Sequence, residues 1–278
     1  ARNLFSTHGS DVLPGSLRAR QADLDDHAGR RAVHLIFIPR PGDLQGAGRK
    51  GLPQVLLPPA EGRLVRLDLQ RTGQTIGYVQ GAGDQIPAGL RQIGYTVVEL
   101  PEDDLVLDRL RRFDAVILGV RAYNTLERIR LHQPALFDYV KAGGTLIVQY
   151  NTSHELKVDA VAPYPLTISR ERVTEENAEV RFLLPGHPVL NQPNRITPAD
   201  FEGWVQERGL YFANQWDPRF QAVLSSNDGG EPPRDGGLLV APYGDGYFVY
   251  TGYSWFRQIP AGVPGAYRIL VNLISLGR

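Results

Sequence analysis

The chain has no cysteine and no methionine among its 278 residues. Without cysteine there is no disulfide, no thiolate nucleophile and no thiolate-ligated metal. Because it opens on Ala1 and lacks methionine, the chain reads as a segment of a longer or processed product with no secretory leader left in it. Net charge is missing as well. Thirty basic and thirty acidic residues cancel, so there is no basic stripe of the kind that displaces counterions from nucleic acid. Long apolar runs are absent. "HLIFIP" and "AVILGV" are strand-sized, well short of the roughly 20 residues of a membrane span. The six histidines are scattered and none shows a metal-ligand spacing such as H-E-x-x-H. No G-x-S-x-G elbow surrounds Ser153 and His154. Nucleic acid, a membrane span, a metal and a cofactor are therefore not expected.

What is present suits a packed α/β core. Hydrophobic residues make up 42% of the chain, enough for a packed core, and its length suits one large domain or one domain plus a smaller attachment. Residues 1–63 are irregular, with one strand-like run at Ala32 to Ile38, and read as an arm or the end of a preceding β-rich domain. Residues 64–278 read as an α/β domain. "LVRLDL", "QTIGYVQ", "YTVVEL", "DAVILGV" and "TLIVQY" are strands. Between them, Gln85 to Ile93 reads as a helix with Asp84 placed to cap it. "EDDLVLDRLRRF" has helical spacing, and "PALFDYVKAGG" is a helix with Pro134 in its first turn. Strand–helix alternation predicts a doubly wound, mostly parallel sheet with helices on both faces. Nearer the C-terminus, Asp245-Gly246 reads as the turn of a hairpin, and Gly265 to Gly277 as a closing helix.

In such sheets, ligands gather beyond the carboxyl ends of the strands. "QGAGD", "VRAYN", "QYNTS" and "GYSWF" converge there. The candidate binding residues are Asp84, Arg121, Tyr123, Asn124, Tyr150 and Asn151, with Glu207 and Arg208 from "EGWVQERG". Aromatic rings suit sugar faces, while amides and charges suit hydroxyls. Each also has a structural use. "GAG" can be a tight turn, Arg121 can pair with Glu202 or Glu207, and the Tyr–Asn pairs can staple loops. Glu202 and Glu207 are candidates for paired acid–base carboxylates.

The runs "RTGQTIGYVQGAGDQIPAGLRQIGYTVVEL", "FDAVILGVRAYNT", "YVKAGGTLIVQYNTS" and "YGDGYFVYTGYSWFRQIPAGVPGAYRILVNLISLG" resemble the C-terminal region of large bacterial PIG-L (LmbE-like) deacetylase fusion proteins. More distantly, "YVKAGGTLIV" and "APYGDGYFVYTG" are similar to ThuA-like and class I glutamine amidotransferase-like domains. That resemblance implies a flavodoxin-like α/β fold. It also implies a cysteine nucleophile after the strand "TLIVQY", where this chain has Tyr150, and a phenol cannot replace a thiolate as acyl nucleophile. The Ala-His-Pro-Asp-Asp zinc motif of PIG-L catalytic domains is not in the chain; "GHPVLN" carries the His-Pro alone.

The resemblance therefore implies a non-catalytic module. Its partner would be a carbohydrate ligand or the deacetylase domain of the same polypeptide, and its location outside the cytoplasm. The alternatives are a sugar hydrolase or isomerase using Glu202 and Glu207, and a protein-interaction domain presenting "GYSWFRQIPAGV".

Overall fold

The computed structural model describes residues 32–39 and 62–277. Expectations for residues 1–31 and 40–61 lie outside the described residues. Strands β1 (Ala32–Pro39) and β2 (Gly62–Leu69) form an antiparallel ribbon. Leu67 and Leu69 of β2 are fully buried in the main core. Strands β3 (Thr75–Val79), β4 (Thr96–Glu99), β5 (Ala115–Leu118) and β6 (Thr145–Gln149) follow, with helices α1 (Ile86–Gln92), α2 (Leu107–Leu110), α3 (Ala122–Thr125) and α4 (Ile129–Lys141) among them. A long excursion then carries β7 (Leu166–Val173), β8 (Val180–Phe182), α5 (Pro188–Asn191), β9 (Gly209–Trp216), β10 (Gln221–Ala222) and β11 (Leu224–Ser226). The chain returns as β12 (Leu238–Tyr243) and β13 (Gly246–Thr251) and ends in α6 (Trp255–Ala261) and α7 (Pro264–Ile274).

The main sheet runs β10-β12-β13-β6-β5-β3-β4. From β13 to β4 all neighbours are parallel, while β12 and β10 extend the edge antiparallel. This is the flavodoxin-like doubly wound order with an antiparallel extension. Side-chain alternation divides each strand between two cores. Ile117, Ile147 and Val249 face one side with α1, α6 and α7. Val116, Leu118, Leu146, Val148 and Phe248 face the other with α4. Burial on both faces explains the near-continuous apolar runs, each fully buried aliphatic side chain contributing about 1.5–3 kcal/mol.

Three local expectations need correction. Helix α4 starts at Ile129, so Pro134 lies inside it rather than in its first turn. The earlier start is anchored at Arg128, whose N–H donates to Glu102 Oε2 (2.8 Å) and whose guanidinium meets Asp103 (2.6 Å). The segment after Leu100 is not one helix. A 3-10 turn (Glu102–Asp104) and α2 are separated by Leu105 and by Val106 in extended backbone. This break buries Leu105 fully beside Leu110 and leaves Val106 outside. The hairpin turns one residue earlier than expected. Tyr243 pairs with Gly246, so Gly244 (φ 65°) and Asp245 form the two-residue loop.

Candidate functional site

The strand order reverses between β3 and β5, where an open α/β sheet offers its usual ligand crevice. Here that crevice is closed. The Ala82 N–H donates to Val120 O at 2.8 Å. Gly81 makes the approach possible, because a Cβ on it would lie 2.2 Å from the Val120 carbonyl oxygen. Beneath the contact, Asp84 accepts from the Tyr78 hydroxyl (2.6 Å), from the Ile86 N–H (3.0 Å) and from the Val120 N–H (3.3 Å). Gln149 Nε2 donates in turn to the Tyr78 oxygen at 2.9 Å. Asp84 thus ties the exits of β3 and β5 to the start of α1, one residue before the helix cap. Burial pushes its carboxyl above the ordinary range, against the opposing effect of its three donors.

That direction gives a test. A carboxyl whose folded-state pKa is raised gives its full stabilisation below the unfolded value and loses it as pH climbs through the folded one. Asp84→Asn is therefore expected to cost about 1 kcal/mol at acid pH, from weakened hydrogen bonds. The deficit should shrink toward neutrality as the wild type loses its advantage. Urea unfolding of both proteins at about pH 4 and about pH 7 checks this, and a gap that widens with pH would contradict it.

The exits of β5 and β6 are joined differently. The Arg121 N–H donates to the Tyr150 carbonyl at 2.8 Å. Asn151 Oδ1 accepts from the Tyr123 N–H (2.8 Å), and its amide donates to Gln149 O (2.9 Å). Asn124 Oδ1 accepts from the Thr152 N–H (2.9 Å), and its amide donates to His154 O (2.9 Å). Tyr123, Asn124 and Asn151 are all buried. Their hydrogen bonds fasten one exit loop to the other and turn inward.

What remains open is a rim around Tyr150. Its half-buried ring stacks on Tyr211, with centroids 5.9 Å apart and planes within 6°, and tilts against Phe256 at 5.3 Å. Burial raises the phenol's pKa, and the guanidiniums of Arg121 and Arg257 oppose the rise. Glu207 is buried behind them. It pairs with Arg257 Nε at 2.9 Å and Arg172 Nη2 at 2.7 Å. Arg121, which could clamp an anionic ligand or pair with Glu202 or Glu207, makes no ion pair among the described residues. Next to the rim is a cavity of about 220 Å³ lined by His154, Arg170, Arg172, Leu210 and Tyr211.

The β7–β9 ribbon aims this wall. Its register jumps between Ile168 and Glu171 on one strand, opposite Ala213 and Phe212 on the other, and then to Arg172 opposite Leu210. Arg170 and Tyr211 are thereby left out of the ladder, and both line the cavity. Ser169 pins the bulge by donating to Phe212 O (2.7 Å) and accepting from the Glu171 N–H (2.9 Å). Bulges beside sites re-aim side chains in this way. The non-glycine residues with left-handed backbone among those described are Arg121, Glu155, Gln206 and Tyr211. Three of them belong to this rim, Arg121, Tyr211 and Gln206, whose Oε1 accepts from Arg257 Nη1. Each such conformation costs about 1–3 kcal/mol and persists where its surroundings impose it. Tyr150 itself is not among them, so its backbone lacks the strained turn of a nucleophile elbow.

Arg208 goes elsewhere. It is 4% exposed, donates to Ala178 O and Phe201 O, and lies over the rings of Phe201 and Trp204. Burial lowers its pKa. It lines a separate cavity of about 470 Å³ together with Glu202, Glu176 and Trp204. Sequence reasoning missed Arg170, Arg172, Tyr211 and Arg257. The clue lay in "ISRERV", whose alternating arginines mark one face of a strand. In "GYSWF", Tyr253 and Trp255 are fully buried, so this stretch is mainly core. Ser254 accepts no ligand role in this arrangement: its hydroxyl donates to Glu207 O at 2.7 Å and holds the loop before β9 in place.

Among the described residues no helix is long and apolar enough to cross a membrane. No family model matches the sequence, and no curated protein matches it. Solved structures with a similar chain path include a cytoplasmic protein of Salmonella typhimurium LT2, at 13% identity and TM-score 0.49, covering 73% of this chain and 98% of that one. A Thermoplasma acidophilum protein provisionally described as a component of GMP synthase is similar at 10% identity and TM-score 0.47, covering 74% and 96%. A Bacteroides uniformis protein provisionally described as ThuA-like is similar at 13% identity and TM-score 0.43, covering 72% and 89%. The likeness is one of fold.

Proposed function

We propose that this chain is a non-catalytic, amidotransferase-like accessory module of a PIG-L-type N-acyl-sugar deacetylase, and that it binds carbohydrate at the Tyr150–Tyr211 rim. The observation that carries the reading is the side chain at the exit of β6. Where an amidotransferase needs a thiolate on a strained turn, this chain has a phenol on relaxed backbone, stacked on a second tyrosine. Such a pair offers a flat apolar face edged by polar groups, the combination that sugar rings occupy. The deacetylase context rests on sequence resemblance.

The rival reading, a sugar hydrolase using Glu202 and Glu207, is poorly served by this geometry. Glu202 lines the larger cavity, which Glu207 does not. Glu207 is bridged to two arginines, which occupy both of its oxygens.

Calorimetric titration of the chain with a panel of neutral and acidic oligosaccharides tests the proposal. Tyr211→Ala and Tyr150→Ala are each expected to weaken binding about tenfold, the loss of one aromatic contact. If no saccharide binds and a separately expressed deacetylase domain does, the module docks and the carbohydrate reading fails.

A further inference from the structure

Four arginines lie around the stacked tyrosines, and Glu207 bridges two of them. Arg172 and Arg257 share Glu207. Arg121 and Arg170 make no ion pair among the described residues. Arg121 Nε is buried without a hydrogen-bond partner. Arg121 and Arg257 both act on the Tyr150 phenol, while Arg170 and Arg172 line the cavity against Tyr211. Among the described residues Arg121 and Arg170 thus carry positive charge at the rim that no ion pair offsets, in a chain with no net charge. This excess is built rather than incidental. Arg170 reaches the cavity where the ladder is broken, and Tyr211 reaches it with left-handed backbone. Strain and a bulge both work to keep one arginine and one aromatic ring facing the same small space.

We infer that the rim selects acidic saccharides, with a sugar ring on the Tyr150–Tyr211 pair and its carboxylate, sulfate or phosphate substituent in the cavity against Arg170 and toward Arg121. This rests on the carbohydrate-binding reading above and adds the ligand's charge to it. The planar fork of arginine suits all three anionic groups through paired hydrogen bonds. A cavity of about 220 Å³ admits such a substituent while the larger ring stays over the tyrosines. Glu207, already neutralised, does not repel it.

The experiment is a calorimetric titration of the whole chain with oligogalacturonate, with its fully methyl-esterified neutral counterpart, with a sulfated oligosaccharide, and with inorganic phosphate alone. The acidic saccharides are expected to bind about tenfold more tightly than the neutral one at low salt. That preference should fade between about 50 and about 300 mM salt as screening sets in. Arg170→Ala, at an exposed position, should remove most of the preference, weakening acidic-sugar binding about tenfold and neutral binding by much less. Arg170→Lys should restore only part of it. The ratio between uronate and sulfate identifies which anion the site favours.

Equal, salt-insensitive binding of acidic and neutral sugars would overturn the inference and leave the carbohydrate reading intact. Phosphate alone binding as tightly as any acidic sugar would overturn it by reducing the site to a plain anion hole. Failure of every saccharide would end both.

Discussion

Gly81→Ala is expected to lower stability by about 3 kcal/mol or more, beyond the usual range for overpacking. The new Cβ would lie 2.2 Å from Val120 O and 2.7 Å from Ala122 N. Both atoms are backbone, so no rotamer change relieves the overlap. Separation of the two loops would also break the Ala82–Val120 hydrogen bond, worth about 1 kcal/mol, and loosen the donors held by Asp84. Gly83→Ala is the control. It has φ +99° but nothing within 4 Å of its Cβ, so only the backbone conformation resists and the loss should be roughly 1–2 kcal/mol. Urea denaturation of the three proteins, with the slope checked for constancy, measures the difference. A loss at Gly81 no larger than at Gly83 would mean that the β3 and β5 exits do not touch. The crevice between them would then be open, and the ligand site would belong there rather than over Tyr150.

The sheet was legible in the sequence for a physical reason. Strands such as Ala115–Leu118 and Thr145–Gln149 are covered on both faces, so their central positions are apolar and the run stands out. Helix α7 was legible as a long apolar run, although the structure buries nearly all of it, Gly265 to Tyr267 and Ile269 to Ile274, rather than one face. The rim was not legible in the same way. Its wall comes from β7 and β9, whose alternation is disturbed by three register shifts, and a bulge moves a side chain without leaving any compositional mark. Tyr150 and Arg121 were found because they end apolar runs. Arg170 and Tyr211 were missed because they sit inside half-exposed strands, where arginine and tyrosine are ordinary residues. Arg208 was grouped with the edge because it follows Glu207 in sequence. Glu207 turns to Arg172 and Arg257, whereas Arg208 turns to the cavity lined by Phe201 and Trp204. Helix α6 escaped notice because Pro260 lies within it.

Glu207→Gln separates the binding account from the catalytic one, because the two predict changes of opposite sign. The wild-type side chain is 5% exposed and holds Arg172 and Arg257 through its two oxygens. Glutamine keeps one acceptor but turns an amide donor toward a guanidinium. Breaking one partner of a buried ion pair costs about 3–5 kcal/mol. Arg172 and Arg257 are 53% and 33% exposed, so water recovers part of that, and a stability loss of about 2 kcal/mol is expected. Binding should move the other way. With the carboxylate that bridges Arg172 and Arg257 gone, both guanidiniums are released toward the rim, and affinity for oligogalacturonate should rise by about threefold to tenfold at low salt. The neutral, methyl-esterified sugar should bind as before. If Glu207 were instead an acid–base catalyst, the same substitution would abolish turnover and leave ligand affinity unchanged or reduced. Calorimetry on the purified variant, run alongside its urea unfolding curve to confirm that it is folded, reads both quantities. Weaker binding of the acidic sugar by a folded Glu207→Gln protein would refute the electrostatic account of the rim.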